Sequence, residues 1–526
     1  MPAPAPVESQ QISAHTISKF LARFLFFIFG VGRSSGQIEP MDYPAEAVDT
    51  QYKKGRFMLT KEMELTRAET RALKTRSAAM SVLFSSFPYI PNKLIHYWTR
   101  NLLEVARLPM GKRFFEQAMM TLKQMLKQVN PTVRKKIVKN FFINECIRGD
   151  TIRTKIARNI GFELPALIVI SPTMRCPLRC TGCYSAQYAQ NADLEFPVFD
   201  QLITEAKSMG IYFFVISGGE PFAYPHIYDL FKKHNDAWFQ VYTSGVFLNK
   251  ENTRRIAELG NVNPCISVEG FEAETDRRRG KGHYKKVLTA FQNMRDAGVP
   301  FGFSATATRE NNNLIMSDEF VDFYSKQGAL VGWYFQYMPI GRQPNLDLVP
   351  TPQQRMHRFY RMIQLREKFN IFLVDFWNDG WLTGGCIAGS RRYLHINHKG
   401  DIEPCVFCQI AVENIHKKGL LDALGTSPLF RSIRKRQPYN HNLLRPCMII
   451  DNPEVLKNVV NEVSASETCN ESAKTLVGDC FPDLRKYADE YGKMADEAWE
   501  TFFGRSYPKT KEAILKEAEK GLAKYS

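Results

Sequence analysis

The sequence predicts an α/β fold: a partial (β/α)6 barrel of the TIM type, with an N-terminal helical region and a C-terminal, cysteine-rich α+β extension. Three observations predict it. Six short apolar runs alternate with amphipathic segments through the middle of the chain, which implies parallel βαβ units. A basic stretch of helical periodicity comes before them, and a loop-rich stretch carrying four cysteines comes after. At 526 residues the chain is too long for one ordinary domain. Its divisions are read as a disordered, apolar N-terminal segment and linker (1–51), a basic helical region (52–160), the core barrel (161–345), a cysteine-bearing domain (346–480) and C-terminal helices (481–526).

Met1 to Gln11 is rich in Pro and Ala. Phe20 to Val31 reads FLARFLFFIFGV, which is too short to span a membrane and is interrupted by Arg23. It has neither a basic n-region nor a small-residue cleavage site, so it is not read as a signal peptide. The plain reading is packing against the protein's own core; the sharper one is an amphipathic segment on a membrane surface. Ser34 to Gln51 reads as a linker. From Tyr52 to about Ile160 the apolar residues recur at helical spacing, as in NKLIHYWTRNLLEVARL and RFFEQAMMTLKQMLKQV. Asn130 and Pro131 mark the stop of the second of these helices.

The net charge is +16, and Pro91 to Ile160 holds fifteen Lys/Arg against four Asp/Glu. Such a face suits an acidic peptide or anionic lipid, or is simply solvated; no specific nucleic-acid partner is predicted. The barrel strands are read at Ala166–Ser171, Phe213–Ser217, Phe239–Gly245, Pro264–Gly270, Phe301–Thr308 and Gly332–Pro339. In such barrels the chemistry sits at the C-terminal ends of the strands. Eleven cysteines without a signal peptide favour metal binding over disulfides. Cys146 and Cys265 read as buried small apolar residues.

The strongest signal is SPTMRCPLRCTGCY, directly after the first strand. Cys176, Cys180 and Cys183 are spaced Cys-x3-Cys-x2-Cys, so one loop offers three thiolates for three corners of a cubane and leaves one iron open. A ferredoxin-like cluster or zinc are the alternatives; zinc fits poorly without a nearby fourth ligand. One βα unit later the second strand ends in Ser217-Gly218-Gly219-Glu220-Pro221. With these two motifs in place, the chain resembles the radical S-adenosylmethionine (SAM) superfamily, over at least Ala166 to Gly341. The resemblance implies a SAM-binding [4Fe–4S] cluster on Cys176, Cys180 and Cys183. It also implies a SAM site at Gly218, Gly219, Glu220 and Pro221, with Glu220 and backbone carbonyls receiving the ammonium. Tyr242-Thr243-Ser244-Gly245 resembles the family's third-strand turn, and Ser267-Val268-Glu269-Gly270 its fourth-strand motif, which puts Ser267 and Glu269 beside SAM. Arg277, Arg278 and Arg279 before Gly280 resemble a further family segment, and Thr308 and Arg309 are weaker candidates. One departure stands out: many members carry an aromatic residue just before the third cysteine, and here that position is Gly182, with Tyr184 following.

A second constellation, Cys386, Cys405, Cys408 and Cys447, resembles the opening of the SPASM and twitch extensions, in which a β-hairpin carries cysteines for auxiliary clusters. HINHKGDIEP reads as that hairpin, turning at Lys399-Gly400. The dense later cysteine run of a full SPASM domain is missing, so one auxiliary [4Fe–4S] cluster is expected, with zinc as the alternative. Just upstream, Asp375 and Asp379 flank Trp377 and are candidate proton acceptors, or loop caps. The expected activity is therefore that of a radical SAM enzyme: reductive cleavage of SAM to a 5′-deoxyadenosyl radical, then hydrogen abstraction from a substrate. Family frequency favours a peptide or protein substrate. The alternatives are a membrane-lipid-modifying enzyme and a non-catalytic iron–sulfur electron carrier, against which the Gly-Gly-Glu-Pro and Ser-Val-Glu-Gly segments both count. The expected reductant is a ferredoxin or flavodoxin, and the expected setting the cytoplasm, with peripheral contact at the inner membrane face under the lipid reading.

Overall fold

The computed structural model describes residues 58–101, 109–186, 192–469 and 472–525. The expectations for Phe20–Val31 and for the linker at Ser34–Gln51 lie outside the described residues. A nine-stranded sheet forms the centre, ordered β7-β6-β5-β4-β3-β2-β1-β8-β9. Its strands are β1 (Leu167–Ile170), β2 (Phe213–Ile216), β3 (Trp238–Thr243), β4 (Val262–Val268), β5 (Gly302–Ala307), β6 (Val331–Gln336), β7 (Phe372–Asp375), β8 (Tyr393–Ile396) and β9 (Ile402–Glu403). The first six fall where the apolar runs placed them, each parallel to the next. The sheet then continues past the expected barrel. Strand β7 extends it beside β6, and β8 pairs parallel to the free edge of β1, Leu167 with Tyr393 through Ile170 with Ile396. The hairpin β8–β9 turns at Gly400, whose φ of +81° is left-handed, as a tight turn requires.

Alternation along the strands separates two faces. On β6, Tyr334 and Gln336 are buried while Val331, Trp333 and Phe335 are half-buried. Tyr334 packs with Phe303 and Phe320 in the layer between sheet and helices. Trp333 and Phe335 therefore face the barrel interior, as do half-buried Tyr242, Ser267 and Thr306 on β3, β4 and β5.

The N-terminal helices are α1 (Arg67–Ser86), α2 (Asn92–Asn101), α3 (Pro109–Gln128), α4 (Pro131–Lys136), which runs into a π-helical stretch at Ile137–Gly149, and α5 (Asp150–Ile160). A capping box starts α1: Glu69 N donates to Thr66 Oγ1, and Thr66 N to the Glu69 carboxylate. Asn130 closes the expected stop, and its side chain also starts α4 by accepting from Val133 N at 2.9 Å. These helices close the N-terminal end of the barrel. Asn140 Nδ2 donates to the carbonyls of Asn235 and Ala237 before β3, Asn130 N to Gly298 O before β5, and Gln117 Nε2 to Phe369 O before β7. Fully buried Glu145 accepts from Arg153 Nη1 at 2.7 Å and from Tyr212 N, while Arg153 also reaches Gly210 O.

Four later helices frame the site: α6 (Glu272–Arg279) after β4, α7 (Pro352–Lys368) before β7, and the C-terminal pair α8 (Phe481–Phe503) and α9 (Lys511–Tyr525) packed on α7. The closure at Glu145 gives a measurable expectation. Glu145→Gln leaves Arg153 buried without its counter-charge and should cost about 3 kcal/mol. Thermal unfolding should show a lowered midpoint, largely restored in the double variant Glu145→Leu/Arg153→Met.

Candidate active site

The loop bearing Cys176, Cys180 and Cys183 leaves the C-terminal end of β1, and the Gly218-Gly219-Glu220-Pro221 turn leaves the neighbouring end of β2. The two are in backbone contact. Gly219 N donates to Thr173 O at 2.9 Å, and Glu220 N to Arg175 O at 2.8 Å. A Cβ on Gly218, which has a φ of +116°, would collide with Thr173 O, and one on Gly219 would lie 2.5 Å from Arg175 O. The glycines are thus required by the approach of the turn to the cysteine loop, before any ligand is considered.

Glu220 is fully buried. Its carboxylate accepts from Thr243 Oγ1 at 2.7 Å, from Ser244 N at 2.8 Å and from Ser244 Oγ at 2.5 Å, tying the β2 turn to the β3 turn. Burial pushes its pKa up, against the pull of these donors. Pro221 opens a single 3-10 turn and is buried. On β4, Ser267 Oγ lies 3.3 Å from Ser304 Oγ of β5. Glu269 is buried and paired with two arginines of α6: Arg279 Nε at 2.9 Å and Arg278 Nη1 at 2.5 Å. Arg278 in turn grips the cysteine loop, its Nε donating to Thr181 O and its carbonyl accepting from Thr181 N. Arg277 points away to an exposed pair with Glu310. Thr308 caps its own turn with Asn311, and Arg309 is held by Leu348 and Val349.

The three thiols are partly exposed and lie within electrostatic reach of one another. Burial pushes Cys176 up to about 12 and also raises Cys180. Thiolates in such a place need a nearby positive centre, which iron supplies. The loop is already set for anionic sulfur, since Leu178 N donates to Cys176 Sγ at 3.5 Å. The same amide, two residues on, serves Cys405 from Phe407 N and Cys447 from Ile449 N, each at 3.4 Å. Ala388 N does the same for Cys386. Cys386, Cys405, Cys408 and Cys447 gather behind the β8–β9 hairpin, each within electrostatic reach of others in the set. Tyr393 Oη donates to Cys405 Sγ at 3.0 Å. Among the described residues no three His, Cys, Asp or Glu side chains close on one point as ligands of a single ion do. A cubane holds one thiolate on each iron, so its ligands stand farther apart than those of a single ion, and the residue types of both sets suit one. Cys146 and Cys265 are buried, as expected.

The sequence departure at Gly182 has a structural answer. Tyr337, at the end of β6, lays its ring over Gly182, where a Cβ would come within 2.5 Å of Tyr337 Cε2. Gly341 packs on Cys183 O, Arg342 N donates to that carbonyl at 3.0 Å, and Arg342 Nη1 reaches Cys180 O. Tyr184 binds Ser217 Oγ at 2.8 Å and packs edge-on against Phe407 between Cys405 and Cys408. Sequence reasoning assigned Tyr337, Arg342 and Phe407 no role, since nothing in their local pattern marks them.

Asp375 and Asp379 are both buried in the loop after β7. Asp375 is 1% exposed and held by Arg358 Nε at 2.9 Å and Asn378 Nδ2 at 2.8 Å. Asp379 takes a two-pronged grip from Arg366 and accepts Asp375 N at 2.8 Å. Both tie α7 to the loop after β7, the loop-capping role that the sequence offered beside proton transfer. The close packing at Gly219 predicts that Gly219→Ala displaces the cysteine loop. Iron analysis after reconstitution should find about four irons fewer than in the parent, with circular dichroism unchanged.

Residues 170–314 match the family model of the Radical SAM superfamily. Among similar proteins, an AdoMet-dependent heme synthase of Methanosarcina barkeri is 26% identical over 299 residues, covering 51% of this chain and 85% of that protein. A mycofactocin maturase, MftC, of Mycobacterium tuberculosis is 26% identical over 293 residues, covering 53% and 74%. A PqqA peptide cyclase of Gluconobacter oxydans is 23% identical over 284 residues, covering 51% and 79%. The domain that meets the family model is the one whose loop carries Cys176, Cys180 and Cys183 and whose second strand ends in Gly-Gly-Glu-Pro, and through that domain the protein is read as a radical SAM enzyme.

Proposed function

We propose that this enzyme modifies a peptide or protein, abstracting hydrogen from a C–H bond presented at the mouth of the barrel. The observation that carries the catalytic part is the backbone contact between the cysteine loop and the Gly218–Gly219 turn, at the end of the barrel where chemistry is housed. When bound, a reduced [4Fe–4S] cluster and SAM supply a 5′-deoxyadenosyl radical, the one reagent the side chains cannot provide. Cys176, Cys180 and Cys183 would hold that cluster. Gly218, Gly219, Glu220 and Pro221 would form the floor of the SAM site, with Ser267 and Glu269 on its β4 side. Glu220 already accepts four donors, from Thr243 Oγ1, Phe222 N, Ser244 N and Ser244 Oγ, so it would hold the turn in shape while backbone carbonyls of that turn receive the ammonium. The half-buried aromatic interior would keep water from the reacting centre.

Cys386, Cys405 and Cys447, each with its amide donor two residues on, would hold an auxiliary cluster with Cys408 as the fourth ligand. Such a cluster would take up the electron left by oxidising the substrate, and a ferredoxin or flavodoxin would deliver the first. The peptide reading is supported by similarity to a PqqA peptide cyclase, although heme synthases are also among the relatives. None of the described helices is long and apolar enough to cross a membrane. The proposed working place is the cytoplasm.

The first expected outcome is 5′-deoxyadenosine formation by anaerobically reconstituted protein given SAM and a strong reductant, and none by Cys183→Ala; product from that variant would overturn the assignment. For the second site, Cys386→Ala/Cys405→Ala should lose about four irons and matching sulfide. Loss of a single zinc instead would identify that site as a zinc centre.

A further inference from the structure

A continuous strip of rings leads from the barrel interior to the auxiliary hairpin. Tyr242 contacts Phe335 with ring centroids 5.4 Å apart, Phe335 contacts Phe376 at 5.4 Å, and Phe376 contacts Trp377 at 5.3 Å. Trp377 then meets Phe407 at 5.5 Å, and Phe407 meets Tyr184 at 5.5 Å. Tyr184 follows Cys183 and Phe407 lies between Cys405 and Cys408, so the strip spans the gap between the two cysteine sets. Tyr242, Phe335, Phe376, Phe407 and Tyr184 are all half-buried, which leaves one side of the strip open.

Two buried polar atoms lie along this strip: Trp377 packs on Phe407, and Gln409, two residues after Phe407, bonds Tyr184, the other ring in contact with Phe407. Trp377 Nε1 is a buried donor and Gln409 Oε1 a buried acceptor, and neither has a hydrogen-bond partner. Trp377 is 3% exposed and Gln409 1%. The orientation of the Gln409 amide is set by its neighbour. Its Nε2 donates to Tyr184 O at 3.2 Å, and turning the group over would put two acceptors face to face. Buried polar atoms left unpaired are costly, and two of opposite sense along one strip call for a ligand with both complements. A peptide amide has them: its C=O accepts from the indole and its N–H donates to the glutamine. An ester or a fatty acyl group lacks the N–H and would leave Gln409 unpaired.

We propose that Trp377 Nε1 and Gln409 Oε1 read one amide of the substrate backbone, while the ring strip seats the aromatic or apolar side group beside that amide. The pair rests on the peptide reading and deepens it, fixing where the substrate lies between the two cysteine sets. Recognition is then local, one residue wide, and placed where a C–H bond of that side group faces the barrel mouth.

The test is saturation-transfer NMR on the full reconstituted protein, with the N-methylamide of hydroxyphenylpropionic acid and its methyl ester as probes. The amide should bind the parent about tenfold more tightly than the ester, the loss expected for one unmet buried acceptor. Trp377→Phe and Gln409→Met, which keep ring and volume, should each weaken the amide about tenfold, and Gln409→Met should abolish the preference for amide over ester. Unchanged iron content and circular dichroism will show that both variants are folded. Equal amide binding by parent and variants would overturn the pair, showing both atoms met by water, and leave the peptide reading standing. No amide binding by the parent, with transfer to a fatty-acyl or porphyrin probe instead, would overturn both.

Discussion

Strand β1 is the constraint on which the rest depends. It is four residues long, and it is paired on both edges, with β2 on one side and β8 on the other. The cysteine loop leaves its C-terminal end, the Gly-Gly-Glu-Pro turn leaves β2, and the auxiliary hairpin leaves β8. Three segments far apart in sequence are therefore launched from adjacent strands in fixed register. The junction is sealed by buried side chains. Ser171 Oγ lies 2.7 Å from His395 Nε2, and His395 Nδ1 lies 2.5 Å from Glu403, which also accepts from Asn397. Such a series of hydrogen bonds is satisfied only when the two halves meet in one register, so it specifies the docking as well as stabilising it. The extension is an outgrowth of the barrel sheet, not a separate body resting on it.

The sequence was legible wherever function or period is written locally. The six core strands follow from apolar runs, since inward and outward residues alternate within each. The cysteine loop and the Gly-Gly-Glu-Pro turn follow from spacing. What could not be read is what depends on partners distant in sequence. Gly182 looked like a loss of aromatic surface, and Tyr337, more than 150 residues away, fills the space. Asp375 and Asp379 looked available because nothing local marks Arg358 and Arg366, which project from α7, as their partners. The basic count of the N-terminal helices suited a docking face or a solvated one. The inward contacts of these helices run to the loops before β2, β3, β5 and β7, and they depend on neutral Asn and Gln side chains as much as on charge.

The arginines of α7 show how burial and charge are balanced near the mouth. Arg355 pairs with Asp451, Arg358 with Asp375 and Arg366 with Asp379, all essentially buried. Desolvating three such pairs is expensive, and apolar replacements of equal volume would stabilise the fold as well or better. What ion pairs add is a single permitted geometry. Each joins α7 to a segment of the site: Arg355 to the loop after Cys447, Arg358 and Arg366 to the loop carrying Trp377. Since Trp377 flanks the aromatic strip, α7 governs the shape of that strip from behind without touching whatever it receives.

That geometry also separates an enzyme from an electron carrier. A carrier needs its cluster close to the surface and gains nothing from an interior lined with half-buried rings. Here Tyr242, Trp333, Phe335 and Phe376 leave apolar surface open inside the barrel, at the cost of burial the fold could have completed with larger or closer side chains. Along the same strip lie Trp377 Nε1 and Gln409 Oε1, two buried polar atoms left unmet. Incomplete burial and incomplete hydrogen bonding at one place are each unfavourable to folding alone. Both are relieved by one event, the arrival of a ligand that brings an apolar face and a paired polar group together. Two of the unmet interactions thus lie where the two cysteine sets look towards each other, which is where a substrate would lie if one set is to start its oxidation and the other to finish it.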